Sequence, residues 1–167
     1  MLDKFQAGGE AVGTVVKRYT SIAEAIAYVK ELAGGGVMLA TRLPDEIKEA
    51  FSGTAFAPAE EAAQAYLCIS FAKAGIAATG TLLLELSDSR ERSFTALPLV
   101  HAVFVRASSL VPDLYALHDI LAEELNSATT AYLSLTTGPS RTADIERVLT
   151  IGVHGPKELH VLVLEGE

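Results

Sequence analysis

Three segments hold most of the residues whose types and spacing can do chemistry. The first is Thr137-Gly138-Pro139-Ser140-Arg141-Thr142-Ala143-Asp144-Ile145-Glu146. It follows an expected strand, Ala131 to Thr136, and so sits at a carboxyl strand end, where open α/β sheets place their ligand sites. Gly138 permits an unusual backbone angle, and Pro139 stiffens the exit. Ser140 and Thr142 offer hydroxyls that can bind a ligand or cap a following helical turn. Arg141 can clamp a carboxylate or phosphate with two parallel hydrogen bonds. Asp144 and Glu146 come just afterwards and would offset a helix-terminal anion site. A plain strand-to-turn connection, its hydroxyls spent on caps, accounts for the same residues.

The second segment is Gly152-Val153-His154-Gly155-Pro156. An imidazole between glycines is accessible and titrates near neutral pH, so His154 can act as acid, base or anion donor. The alternative is a turn in which the ring ties down a carbonyl. The third is Gly75-Ile76-Ala77-Ala78-Thr79-Gly80-Thr81-Leu82. Gly80, between Thr79 and Thr81, can bring backbone amides against an anion, or can mark a hairpin or bulge. Glu85, at the end of that run, reads as a strand-end carboxylate facing water.

Other chemistries drop out. Neither the P-loop pattern nor the dinucleotide glycine fingerprint is present, and there is no Gly-x-Ser-x-Gly elbow. Cys68 lies in an apolar run, as a small buried hydrophobe does. The four histidines show no His-x-x-x-His or cysteine-rich spacing, so no zinc site is expected. His101, His118 and His160 read as packing or surface residues.

The elements that must position these residues follow from periodicity. Residues 1–11 are polar and Gly-containing and read as a flexible lead-in, with one domain over 12–167. Val12 to Arg18 reads as a strand. Ser21 and Glu24 form a capping-box pattern before Ile22, Ile26, Val29 and Leu32 at helical spacing, and Gly34-Gly35-Gly36 stops that helix. Val37 to Ala40 is a short strand, Pro44 opens a helix to about Phe51, and Thr54 to Ala57 is a further candidate strand. Strands are expected near Tyr66 to Phe71, Gly75 to Ala78 and Thr81 to Leu86, then a charged loop at Ser87 to Arg92 and a strand at Leu99 to Val105. Pro112 opens a helix with Leu114, Leu117, Leu121 and Leu125 on one face, and Leu159 to Leu164 is the last strand. Several runs are apolar throughout rather than alternating, as in strands covered on both faces. The expected architecture is a three-layer α/β/α domain with a mostly parallel sheet and an antiparallel hairpin within Gly75 to Val105.

Composition narrows the function. The chain has 167 residues, half of them apolar, no Trp, and a formal charge of −8. An acidic domain repels phosphate backbones, so nucleic-acid binding is not expected. No basic amphipathic helix suits a membrane surface, and no apolar run reaches the roughly 18 to 20 residues of a membrane span. The start, Met-Leu-Asp-Lys-Phe-Gln, has no apolar core, so no signal peptide is expected. A lone cysteine fits a reducing compartment, and a cytoplasmic location is expected.

The same three segments carry a family resemblance. Ala74 to Thr81 resembles the "AGIAETGT" segment of LUD-domain proteins of the LutC/YkgG type. Residues 137 to 146 resemble their "TGPSRTADIE", and residues 152 to 160 their "GVHGPxELH". The order and separation match as well. Two departures stand out: Ala78 occupies a position where family members often carry Glu, and many members have a longer N-terminal helical extension.

The resemblance implies a fold similar to that of the NagB/RpiA/CoA-transferase superfamily, and a role in oxidising L-lactate to pyruvate beside iron–sulfur partner proteins. A four-thiolate cluster cannot be held by one cysteine, and no flavin or nicotinamide fingerprint is visible. No cofactor is therefore expected in this chain, and the electron carriers are expected in its partners. A small anion is the expected ligand, held by Thr79, Gly80, Thr81, Gly138, Pro139, Ser140, Arg141, Thr142, Asp144 and Gly155. Arg141 would orient it and His154 would move a proton. Two rival readings stand beside this one: a stand-alone enzyme on a phosphosugar, CoA ester or similar anion, and a non-catalytic structural or regulatory module.

Overall fold

A computed structural model of the chain describes residues 1–127, 131–145, 148–151 and 155–166. In chain order the elements are helix α1 (Leu2–Ala11), strand β1 (Val15–Tyr19), α2 (Ile22–Ala33), β2 (Met38–Ala40), α3 (Asp45–Ala50), β3 (Leu67–Phe71), β4 (Ala74–Ile76) and β5 (Thr81–Glu85). There follow α4 (Ser89–Ala96), β6 (Val100–Arg106), β7 (Leu110–Val111), α5 (His118–Ser127), β8 (Leu133–Thr136), β9 (Arg141–Ile145), β10 (Val148–Ile151) and β11 (Glu158–Leu164).

Five strands form a parallel sheet in the order β1-β11-β6-β3-β2. Every neighbouring pair in it is parallel, so all five strands share one amino edge and one carboxyl edge. The central strands β6 and β11 are buried along nearly their whole length, which is why they read as continuous apolar runs. One face packs on α2 and α3: Ile26, Val29, Ile47 and Phe51 meet Ile69, Phe104 and Leu162. The other face packs on α1 and a second, four-stranded sheet in the order β7-β4-β5-β8, with Phe5, Leu82 and Leu84 against Val103, Val161 and Val163. The far side of this mixed sheet is closed by Leu117 together with Ile120 and Leu121 of α5.

The expected α/β domain with a mostly parallel sheet is what the chain forms. The antiparallel hairpin is β4–β5, and it belongs to the second sheet. That sheet, with α1, supplies the cover on one face where helices alone were expected.

Several local expectations are corrected. Residues 1–11 are not a flexible lead-in: they fold into α1, anchored by a fully buried Phe5. Residues 54 to 57 form no strand. The charged stretch at 87–92 is instead the start of α4, whose N-cap Asp88 accepts a hydrogen bond from the Arg90 amide at 2.9 Å. The segment after Ser140 enters a hairpin, β9 paired antiparallel with β10, not a capped helical turn. Helix α2 does stop at Gly34, which takes a left-handed φ of 55°.

Candidate functional site

The first and third segments meet at the amino edge of the parallel sheet, beside the turn from α1 into β1. Thr79 Oγ1 lies 2.6 Å from Thr81 Oγ1, which lies 2.7 Å from Thr137 Oγ1. This ladder of hydroxyls ties the β4–β5 turn to the end of β8. The pairing of β5 with β8 supplies the register, with Leu82 opposite Thr136.

Gly80 faces helix α1 at backbone range. It has a φ of 66°, and a Cβ at this position would lie 2.2 Å from the Gly9 nitrogen. Gly8 makes the reciprocal approach, its missing Cβ falling 2.8 Å from the Gly80 nitrogen. The space beside Gly80 is therefore filled by α1. Gly138 fits the same turn: its φ is 71°, and a Cβ there would come 2.9 Å from the Val12 carbonyl oxygen. Arg141 Nη2 donates to that oxygen at 2.7 Å.

The second segment closes the arrangement through Gly155 and Pro156. The Ser140 amide donates to the Pro156 carbonyl at 2.9 Å, and Gly155, with φ of 109°, has room for no Cβ against the Ser140 side chain. His154 lies outside the described residues, as does Glu146. Thr142 and Asp144 belong to β9, and their side chains are outside the description.

Thr136, Thr137, Gly138, Pro139, Ser140 and Gly155 wall a cavity of about 330 Å³. The segment does follow a strand, as expected, but that strand is at the edge of the second sheet. The cavity consequently opens over the amino ends of the parallel strands, opposite the edge where such sheets usually hold ligands. Arg141 is exposed and does not line it.

One wall residue escaped the sequence reading. His101, the second residue of strand β6, is almost fully buried and also lines this cavity. Its Nε2 lies 2.8 Å from Ser70 Oγ on the neighbouring strand β3, and Nδ1 makes no hydrogen bond among the described residues. Burial lowers the imidazole pKa to about 4, so the ring is neutral at pH 7. His160 differs: its Nδ1 is 2.8 Å from the Tyr28 hydroxyl and its Nε2 3.0 Å from Glu158 Oε2, so both nitrogens are engaged. The one available clue to His101 was a pair of polar residues, Ser70 and His101, each set in an otherwise apolar strand. Their pairing depends on β3–β6 register, which puts Cys68 opposite His101.

Cys68 lies on the same face, its Sγ 3.9 Å from Ser70 Oγ. Burial pushes its thiol up to about 12, so it stays protonated and unreactive. Among the described residues no three His, Cys, Asp or Glu side chains gather as a metal site would require. Likewise, no described helix is long and apolar enough to cross a membrane.

Comparison with known proteins identifies the family. The LUD domain family matches residues 57–164, which take in all three segments. Lactate utilization protein C of Bacillus velezensis is 36% identical over 107 residues, covering 62% of this chain and 44% of that protein. The Bacillus subtilis protein of the same name is also 36% identical, over 62% of this chain and 45% of its own length. The uncharacterized protein YkgG of Escherichia coli is 30% identical over 63% of the chain and 46% of its own length. The chain thus spans under half the length of these curated relatives. In three dimensions it is similar to the crystal structure of a DUF162 family protein from Deinococcus radiodurans, with a TM-score of 0.67 at 20% identity, covering 99% of this chain and 96% of that one. At that identity the likeness speaks for the fold. The family match and the curated relatives go further: the chain belongs to the LUD domain family, of the type that includes lactate utilization protein C and YkgG.

Proposed function

We propose that this chain serves a lactate-utilization system and that its amino-edge cavity takes a small carboxylate. The relatives named lactate utilization protein C support the role, and the observation that carries the ligand is His101. In this reading the Ser70 hydroxyl donates to Nε2, which leaves the proton of the neutral ring on Nδ1 for a ligand in the cavity. The Ser140 side chain and the glycine amides of the two glycine-proline turns supply further polar groups at its wall. A volume of about 330 Å³ is near the small end of ligand pockets, which run from roughly 300 to 1,000 Å³.

Oxidation of lactate needs an electron acceptor, and the chain's one cysteine is buried and protonated. In this reading, iron–sulfur proteins bearing the cysteine ligands carry the electrons as partners, and this chain binds and orients. Thermal-shift measurements with L-lactate, pyruvate and acetate test the ligand, since a molecule that binds only the folded state raises the melting temperature. Purification from the native host tests the partners. No stabilisation by any of the three carboxylates counts against the cavity's role, and absence of co-purifying iron–sulfur protein counts against the assembly.

A structural role fits the Thr79-Gly80-Thr81 turn better than a binding role does. Its glycine is closed off by α1, and its hydroxyls are bonded to one another and to Thr137.

A further inference from the structure

We propose that a second cavity, at the carboxyl edge of the parallel sheet, binds a small phosphate monoester. The cavity has a volume of about 380 Å³ and is lined by Arg42, Leu43, Pro44, Phe71, Lys73, Glu85, Arg106 and Ser109. Its walls come from the carboxyl ends of three neighbouring parallel strands: Arg42 follows β2, Lys73 follows β3, and Arg106 ends β6. Open α/β sheets hold ligands in this position because connections diverge there and leave a crevice. None of the three family segments contributes to it.

Charge sets the ligand class. In a chain of net charge −8, three cations and one carboxylate face a single cavity. Three positive groups on three separate strand ends suit a tetrahedral dianion with three strong acceptor oxygens. A lone carboxylate would offer one charge and two oxygens.

Two of the cations are ion-paired, and Arg42 is fixed through its backbone while its side chain stays exposed. The backbone amide of Arg42 donates to Oε1 of the buried Glu91 at 2.7 Å. Lys73 pairs with Glu124 at 2.7 Å, and Arg106 pairs with Glu46 while its guanidinium sits over the Phe71 ring. Glu124 and Glu46 belong to α5 and α3, outside the cavity wall, while the Arg42 guanidinium lies 3.9 Å from Glu85, which lines it. Partly exposed ion pairs of this kind are weak, so an incoming dianion can share or replace them.

Glu85 gives the site its second preference. Burial works against its charge, but hydrogen bonding from Ser87 and the nearby Arg42 and Lys73 hold its pKa below the usual carboxylate value. An ionised carboxylate among cations accepts a hydrogen bond from a ligand hydroxyl, while Leu43, Pro44 and Phe71 form an apolar wall for the carbon skeleton. The ligand is therefore a phosphate ester that also carries a hydroxyl.

The test is calorimetric and thermal-shift titration of the folded chain with glycerol 2-phosphate, inorganic phosphate and acetate, each at matched ionic strength with sodium chloride as control. Glycerol 2-phosphate is expected to raise the melting temperature and to bind more tightly than inorganic phosphate, with acetate inert. Arg42→Gln and Lys73→Gln, both at exposed side chains, are expected to weaken the ester at least tenfold each, with the same change at the exposed Lys30 of α2 leaving binding unchanged. No shift beyond the chloride control, or equal affinity in both charge variants, overturns the proposal.

Discussion

Arg141 Nη2 donates a hydrogen bond to the carbonyl oxygen of Val12 at 2.7 Å, joining residues 129 positions apart. The guanidinium braces the turn between α1 and β1 from outside the cavity. Arg141→Ala is expected to cost about 1 kcal/mol, the typical net worth of one hydrogen bond, read as a lower denaturant midpoint. Carboxylate binding should stay within threefold of the unaltered chain. A tenfold loss of binding at unchanged stability would mean that the arginine meets the ligand instead.

Gly80 sits where no side chain fits. Its φ of 66° and its approach to the Gly9 backbone leave Ala two penalties, a left-handed conformation and a backbone clash. Gly80→Ala should lose at least about 2 kcal/mol and should deprotect the amides of α1 in hydrogen exchange. Unchanged exchange in α1 would show that the helix is not docked through this contact.

Phe5 makes helix α1 part of the fold. It is fully buried among Leu82, Val103 and Val161, so Phe5→Ala should cost about 3 to 5 kcal/mol in chemical denaturation. A cost below about 1 kcal/mol would restore the flexible lead-in that the sequence suggests.

Val100 to Arg106 and Glu158 to Leu164 announced themselves because both faces of each strand are covered. Helix α1 did not, because its anchoring is spread thinly: Phe5 fills one pocket, while Gly8 and Gly9 contribute by lacking side chains. Those glycines looked like flexibility when read locally, yet they are sites of close approach to Gly80. The three family segments were legible as motifs, and two of them meet through Thr81 and Thr137. Which edge they occupy was not legible, since β8 belongs to a second sheet that local periodicity cannot separate from the first. His101 was hidden for the same reason, its partner Ser70 being set by strand register.

Burial of neutral His101 makes stability depend on pH. Its folded pKa of about 4 lies below the ordinary histidine value of about 6.5. Between those values the unfolded chain binds more protons, so stability is full above pH 6.5 and falls as pH drops toward 4. The span corresponds to about 3 kcal/mol. His101→Gln, which can still meet Ser70, should flatten the urea midpoint between pH 6.5 and 4.5. The same acid dependence in that variant would assign the effect to other groups.

Nuclear magnetic resonance of the histidine ring nitrogens during titration with pyruvate and L-lactate tests the cavity most directly. The account predicts a neutral His101 at pH 7 with its proton on Nδ1, and a saturable shift of that nitrogen that is lost on Ser140→Ala or weakened at least tenfold. A His101 signal that ignores both acids, while the chain stays folded, would contradict it.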